Sequence, residues 1–159
     1  MSAAAAHMAD GSFHFDPLKT GRELLQSWID SGTDAGGFPQ RLRSRPVELS
    51  EGYVRMVCDI DPAHSNFVGL VHGGVTASLI DMAAGGAVMT VLEAGQGLLS
   101  TELSMRFLNA APINCRQLEV AGTIRYRDAR KAVVEGVVTT PDGTIVAQGT
   151  VGVVIRPMR

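Results

Sequence analysis

Hydrophobic and polar positions alternate along most of this chain, with one long exception. From Tyr53 to Ile60, the residues Val54, Met56, Cys58 and Ile60 fall on one side. Tyr53, Arg55 and Asp59 fall on the other. That period of two is the mark of a strand with one buried face. The same reading predicts strands over 43–49, with Pro46 near a sheet edge, and over 98–108, 115–127, 131–140 and 145–155. In 98–108 it buries Leu103, Met105 and Phe107 between Glu102, Ser104 and Arg106. Glu51-Gly52, Asp128-Ala129-Arg130 and Pro141-Asp142-Gly143 supply the turns, and Pro112 breaks the chain between two strands. The exception is 75–92, where apolar residues occupy every side of a helical wheel, as in a buried helix. Ala77, Ala83, Ala84, Gly85, Gly86 and Ala87 keep its surface thin, so that a sheet can wrap closely around it. Nearer the N-terminus, Leu18, Leu24, Leu25, Trp28 and Ile29 form one stripe of a short helix. Asp16 is its expected N-cap, Pro17 its first residue, and Ser31-Gly32 its end; 33–42 reads as a loop. The order is helix, two strands, long helix, four strands. One helix must cover one face of an antiparallel sheet, an α+β architecture.

The chain has 159 residues, which fits a disordered lead-in over 1–15 and a single domain over 16–159. A net charge of −2 lacks the basic excess of a nucleic-acid binder. Cys58 and Cys115 are too few for a disulfide framework and read as two buried thiols in a reducing compartment. The Gly pairs and Asp81 interrupt the apolar helix, so it reads as core and not as a membrane span. The first residues have neither a basic segment nor an apolar one of the secretory kind. These features predict a cytoplasmic protein.

Between Asn66 and Leu92 only two side chains can ionise, His72 and Asp81. A carboxylate within an apolar helix is expensive to bury, which makes Asp81 the main chemical clue. It suits a general base for water or a direct nucleophile on an acyl carbon; the alternatives are an Asp on the helix surface or a buried one that caps backbone. His72-Gly73-Gly74 stands where the helix begins. Backbone N–H groups there are unpaired, lie at the positive end of the helix dipole, and can meet an oxygen that gains negative charge. The same glycines also fit a simple tight turn. Asn66 either orients a water or carbonyl, or closes a turn of the loop. His64 and His72 have no third ligand at recognisable spacing, so no metal is expected. No cofactor is expected, and no GxSxG nucleophile elbow is present.

HSNFVGLVHGGVTASLIDMAAGGA, over 64–87, closely resembles the signature of the hotdog-fold acyl-CoA thioesterases of the phenylacetic-acid-degradation (PaaI) type. That signature is HxN, then G, then HGG, with an Asp eight residues after the first Gly of HGG. Here the positions are His64, Asn66, Gly69, His72, Gly73, Gly74 and Asp81. STELSMRFLNAAP and GTIRYRDARKAVVEGVVTTPDGTIVAQGT resemble the family's strand after the helix and its final hairpins, so the likeness spans about 45–156. Asp128-Ala129-Arg130 departs from the Gly-Arg turn common in the family.

The resemblance implies a hotdog fold: an antiparallel sheet wrapped around a long central helix, here with an extra N-terminal helix. It implies a homodimer or homotetramer with its site at the dimer interface. Asn66 and the Gly73 N–H would come from one subunit, Asp81 with Ser100 or Thr101 from the other. The implied reaction is hydrolysis of an acyl-CoA thioester. Gly73 polarises the carbonyl, Asp81 activates water or attacks first, and Asn66 and Ser100 or Thr101 position the reactants. His64, His72 and Gly74 are expected to line the substrate. Arg125, Arg127, Arg130 and Lys131 cluster near a turn and are expected to meet the coenzyme A phosphates; the alternative for each is a solvated hairpin end. Neither a nucleic-acid partner nor a membrane is expected. An acyl-CoA hydratase or dehydratase, with His64 or His72 as acid or base, and a non-catalytic acyl-CoA-binding module are the alternatives.

Overall fold

The computed structural model describes residues 16–32 and 35–158; the expected lead-in over 1–15 lies outside the described residues. The strands are β1 (Ser44–Ser50), β2 (Tyr53–Asp59), β3 (Gln96–Phe107), β4 (Gln117–Arg127), β5 (Lys131–Thr139) and β6 (Ile145–Pro157). They form one antiparallel sheet in the order β1-β2-β4-β5-β6-β3. The helix α3 (Gly73–Met89) packs across its inner face. This is the hotdog arrangement, with α1 (Gly21–Ser31) and the short α2 (Gly37–Arg41) added before it.

Glycines let helix and sheet approach closely. Gly122 and Gly136 are cross-strand partners on β4 and β5. A Cβ on Gly122 would stand 2.4 Å from the Ala83 carbonyl oxygen, and one on Gly136 would stand 2.8 Å from Ile80. From the helix side, a Cβ on Gly86 would reach Val54 at 3.0 Å. Gly85 and Gly86 each give up about 1 kcal/mol of helix propensity relative to Ala, and at Gly86 the close contact with the sheet offsets it. Val54, Met56, Leu118, Val120, Val134, Val138 and Val151 meet Leu79, Ile80, Ala83 and Ala87 in the buried core.

Several sequence expectations are corrected. The α1 cap is Thr20, not Asp16: the Thr20 hydroxyl accepts from Glu23 N–H while the Glu23 carboxylate accepts from Thr20 N–H, a capping box. Asp16 instead closes a separate turn by accepting from Leu18 N–H. Part of the expected 33–42 loop is α2, and α3 ends at Met89, three residues before Leu92.

The larger correction concerns burial. The sheet covers only one side of α3, leaving Ala77, Ser78, Asp81 and Gly85 half-buried and Gly74 exposed. Leu103 and Phe107 are also uncovered, at 40% and 63% exposure. They face inward, opposite the buried Val151 and Ala147 of β6. However, β3 is the sheet edge, and α3 leaves their inner face open.

No helix among the described residues is long and apolar enough to cross a membrane.

Candidate active site

Local chemistry builds two groups of polar atoms, one at the start of α3 and one near its middle. His72 is the N-cap, and its Nδ1 accepts from Gly74 N–H at 2.9 Å. Val75 N–H reaches the His72 carbonyl. Gly73 is the first helical residue, a position whose N–H has no intrahelical acceptor. It is the donor left over once His72 and Gly74 have satisfied one another. A Cβ on Gly73 would lie 2.9 Å from the Phe107 ring, so glycine lets that ring lie against the start of the helix.

Asn66 is set by its own loop. Its Oδ1 accepts from Val68 N–H and Leu70 N–H, both at 3.0 Å, while its backbone N–H donates to Leu70 O. The turn reading of Asn66 is the one these bonds show. The oxygen closes the turn, and the Nδ2 amide remains as a donor. Gly69, at φ 81°, supplies the left-handed residue the turn needs. Asn66 and Gly73 line the same cavity, about 330 Å³ in volume, with Leu70, Val71, Phe107 and Val146 among its apolar walls.

The second group is Asp81 and Ser100. The Ser100 hydroxyl donates to Asp81 Oδ1 at 2.5 Å, within the range of a charge-assisted bond. Asp81 is thus not the isolated buried carboxylate expected from sequence, but a half-buried one that a hydroxyl orients. Among the described residues its other oxygen has no protein donor. Thr101 is the unpaired residue of a bulge in β3, and its hydroxyl donates to Gly152 O. Of the two hydroxyls, Ser100 is therefore the one at the carboxylate.

His64 is 4% exposed. Its Nδ1 accepts from Asp61 N–H, and its Nε2 has no partner. Its carbonyl accepts from His72 N–H, so it braces the loop that carries Asn66. Neither His64 nor His72 lines the Asn66–Gly73 cavity.

The four expected cations do not converge. Arg125 is paired with Glu135 at 3.0 Å. Arg127 lines a cleft beside Arg22, Glu51 and Glu93. Arg130 and Lys131 line a different cleft of about 840 Å³, together with Arg156. Arg156 was not singled out by the sequence, because a lone Arg at the end of a final strand carries no pattern. Lys131 pairs with Val154, which pairs with Leu99 beside Ser100. Two strand spacings, about 10 Å, separate that row of β5 from β3. The turn presenting Arg130 and Lys131 is tied by Asp128, which accepts from both backbone N–H groups and from the Tyr126 hydroxyl. The Arg130 N–H, the Tyr126 hydroxyl and the Lys131 N–H together hold the Asp128 carboxyl below its ordinary range.

Cys58 is no candidate nucleophile: burial pushes its thiol up to about 12, and its Sγ donates to Leu42 O. Cys115 lies in a short helical turn (Ile113–Cys115), not in a strand as expected, and is also free. Among the described residues, no group of three His, Cys, Asp or Glu side chains is placed to hold a metal ion.

Comparison with known proteins sets this geometry in context. No curated protein sequence matches the chain. Solved structures do. A thioesterase family protein from Silicibacter pomeroyi is 19% identical with a TM-score of 0.73, covering 84% of this chain and 98% of its own. A hypothetical thioesterase protein from Streptococcus pneumoniae, solved with coenzyme A, is 20% identical with a TM-score of 0.65, covering 73% of this chain and 90% of its own. A Streptococcus mutans protein bound to acetyl CoA is 21% identical with a TM-score of 0.64, covering 72% of this chain and 89% of its own. At these identities the likeness speaks for the fold. The family rests on the sequence itself: residues 68–147, just over half of the chain, match the model of the Thioesterase superfamily, and the chain belongs to that family.

Proposed function

We propose that this protein hydrolyses an acyl-CoA thioester to a free acid and coenzyme A, at two composite sites of a homodimer, as a thioesterase of the phenylacetic-acid-degradation type. One observation carries the reading. Each protomer holds two half-sites that cannot serve one carbonyl together. Asp81 follows Gly73 by eight residues on a continuous helix, about 12 Å of rise. A donor and a water-activating carboxylate must both lie within about 3 Å of the reacting centre.

The free edge of the sheet offers the means of joining the halves. β3 has twelve residues and exposes Leu99, Leu103 and Phe107, a template for pairing with another chain. Antiparallel pairing of β3 with its own copy about a two-fold axis at Ser104 sets Met105 opposite Leu103 of the second copy. With Thr101 bulged out, Phe107 then falls opposite Ser100 of the second copy. Every pair faces the same side of the sheet, as pleating demands. Because Phe107 packs on Gly73, this register carries the Gly73 N–H and the Asn66 amide of one copy toward Asp81 and Ser100 of the other. The uncovered side of α3 would be closed in the same step.

In the mechanism, the Gly73 N–H and Asn66 Nδ2 hold the carbonyl oxygen as it gains charge. Asp81, held by Ser100, removes a proton from water as the water attacks the acyl carbon; the thiolate of coenzyme A leaves and takes up a proton. Direct attack by Asp81 to form an anhydride uses the same placement. Arg130, Lys131 and Arg156 form the cationic cleft that suits phosphates. The coenzyme A and acetyl CoA bound by two structural neighbours support the ligand class. A hydratase would need a His at the acyl chain, and neither His lines the cavity.

The test is thiol release from acyl-CoA by the purified protein, followed by mixed dimers. An Asp81→Ala subunit paired with an Asn66→Ala subunit should recover about half of the sites. Verified mixed dimers without recovery would refute the shared site, and the absence of thiol release across an acyl-CoA panel would refute hydrolysis.

A further inference from the structure

We infer that Phe107 sets the upper length of the acyl group and that the cavity it lines favours uncharged acyl groups. The inference rests on the thioesterase reading above, since it assigns the acyl class to the Gly73 side of that site.

The cavity is lined by Asn66 and Gly73, which carry the free amide and N–H, and by the apolar side chains of Leu70, Val71, Leu108, Ala111 and Val146. A thioester carbonyl held by those two donors would set its acyl chain against those apolar walls. Thr76 and Asn109, its other polar side chains, already donate to Gly73 O and Ile145 O. No ionisable side chain lines it, so an acyl group ending in a carboxylate would lie against apolar walls with no cationic partner among them. At roughly 30 Å³ per water-sized group, its volume of about 330 Å³ holds about ten heavy atoms, a medium straight chain or a single substituted ring.

Phe107 is the wall whose removal changes this most. Val71, Ala111 and Val146 belong to the packed core and cannot move without disturbing it. Phe107 is 63% exposed, so its ring is not needed to fill the protomer's interior. The ring rests against Gly73, beside the donor for the carbonyl oxygen. Its backbone is fixed by pairing with Ala147 at the end of β3. The backbone that carries the ring is therefore fixed next to Gly73, and the ring limits what extends past it.

The experiment is kcat/KM against straight-chain acyl-CoA length for the wild type, Phe107→Ala, Phe107→Leu and Phe107→Trp, with an ω-carboxyacyl-CoA beside its uncharged analogue. In the wild type, kcat/KM should rise about fourfold per buried methylene and stop rising near about ten acyl heavy atoms. The break should move to longer chains in Phe107→Ala and Phe107→Leu and to shorter ones in Phe107→Trp. The charged substrate should be the poorer of the two, since the apolar walls desolvate its carboxylate without pairing it. A break at the same length in the wild type and every folded variant overturns the assignment of Phe107. A wild-type profile with no break overturns it without any variant, and equal turnover of charged and uncharged analogues overturns the acyl class. All of these outcomes differ from the absence of thiol release, which would overturn the thioesterase reading itself.

Discussion

Replacing Asp81 by Asn keeps the shape of the side chain and removes its charge, which isolates its chemical role. The Asn oxygen can still accept from the Ser100 hydroxyl. Bonds to a charged acceptor are worth about 1.5–3 kcal/mol and neutral ones about 0.5–1.5, so the change in stability should stay near about 1 kcal/mol, less with the site half open to water. The effect on catalysis is larger. A positioned acid or base contributes about 10²–10⁴ in rate, and at 1.36 kcal/mol per tenfold this is about 2.7–5.4 kcal/mol of barrier. Because Asp81 acts on the reacting atoms, kcat and kcat/KM should fall together while KM holds. Ser100→Ala should lie between wild type and Asp81→Asn, because it leaves the charge and frees its orientation. Thr101→Ala should cost little, since its hydroxyl serves Gly152 O. The assay is initial-rate thiol release at saturating acyl-CoA, with thermal unfolding measured alongside. A folded Asp81→Asn protein with near wild-type kcat would refute the catalytic role of the carboxylate, whatever its partner in the structure.

Further expectations concern assembly, coenzyme recognition and packing. Leu103→Lys, near the centre of β3, should leave monomers by sedimentation and abolish turnover; an active monomer would refute pairing through this edge. Charge removal at Arg130, Lys131 or Arg156 should raise KM for acyl-CoA with kcat held, and leave a pantetheine thioester unaffected. Arg125→Gln and Arg127→Gln should change neither, and equal losses on both substrates would point to folding instead. Gly122→Ala would drive a methyl against the Ala83 carbonyl oxygen. It should lower stability by about 1–3 kcal/mol in denaturant titration, and an unchanged midpoint would refute the account of helix seating.

Sequence patterning alone determined the six strands, α1, α3 and their order, because a period of two and an all-apolar helix are local properties; the short α2 has too few residues to show a period. It also singled out Asp81, since one carboxylate in an apolar helix stands out without knowing its surroundings, and the HxN…HGG…Asp spacing pointed to the family. What the alternation of 98–108 could not decide was whether its apolar side was covered. Leu103 and Phe107 do face inward, but strand order places β3 at the edge, and order is set by contacts distant in sequence. For the same reason the apolar character of α3 read as burial on all sides, whereas one protomer covers only one. The choice between Ser100 and Thr101 depended on a single bulge that turns one hydroxyl toward Asp81 and the other toward Gly152. The four cations looked like one cluster because three of them flank one turn, yet pairing with Glu135 removes Arg125 and strand geometry sends Arg127 to another cleft. Arg156 joins Arg130 and Lys131 from the far end of β6, a proximity that only the folded sheet creates.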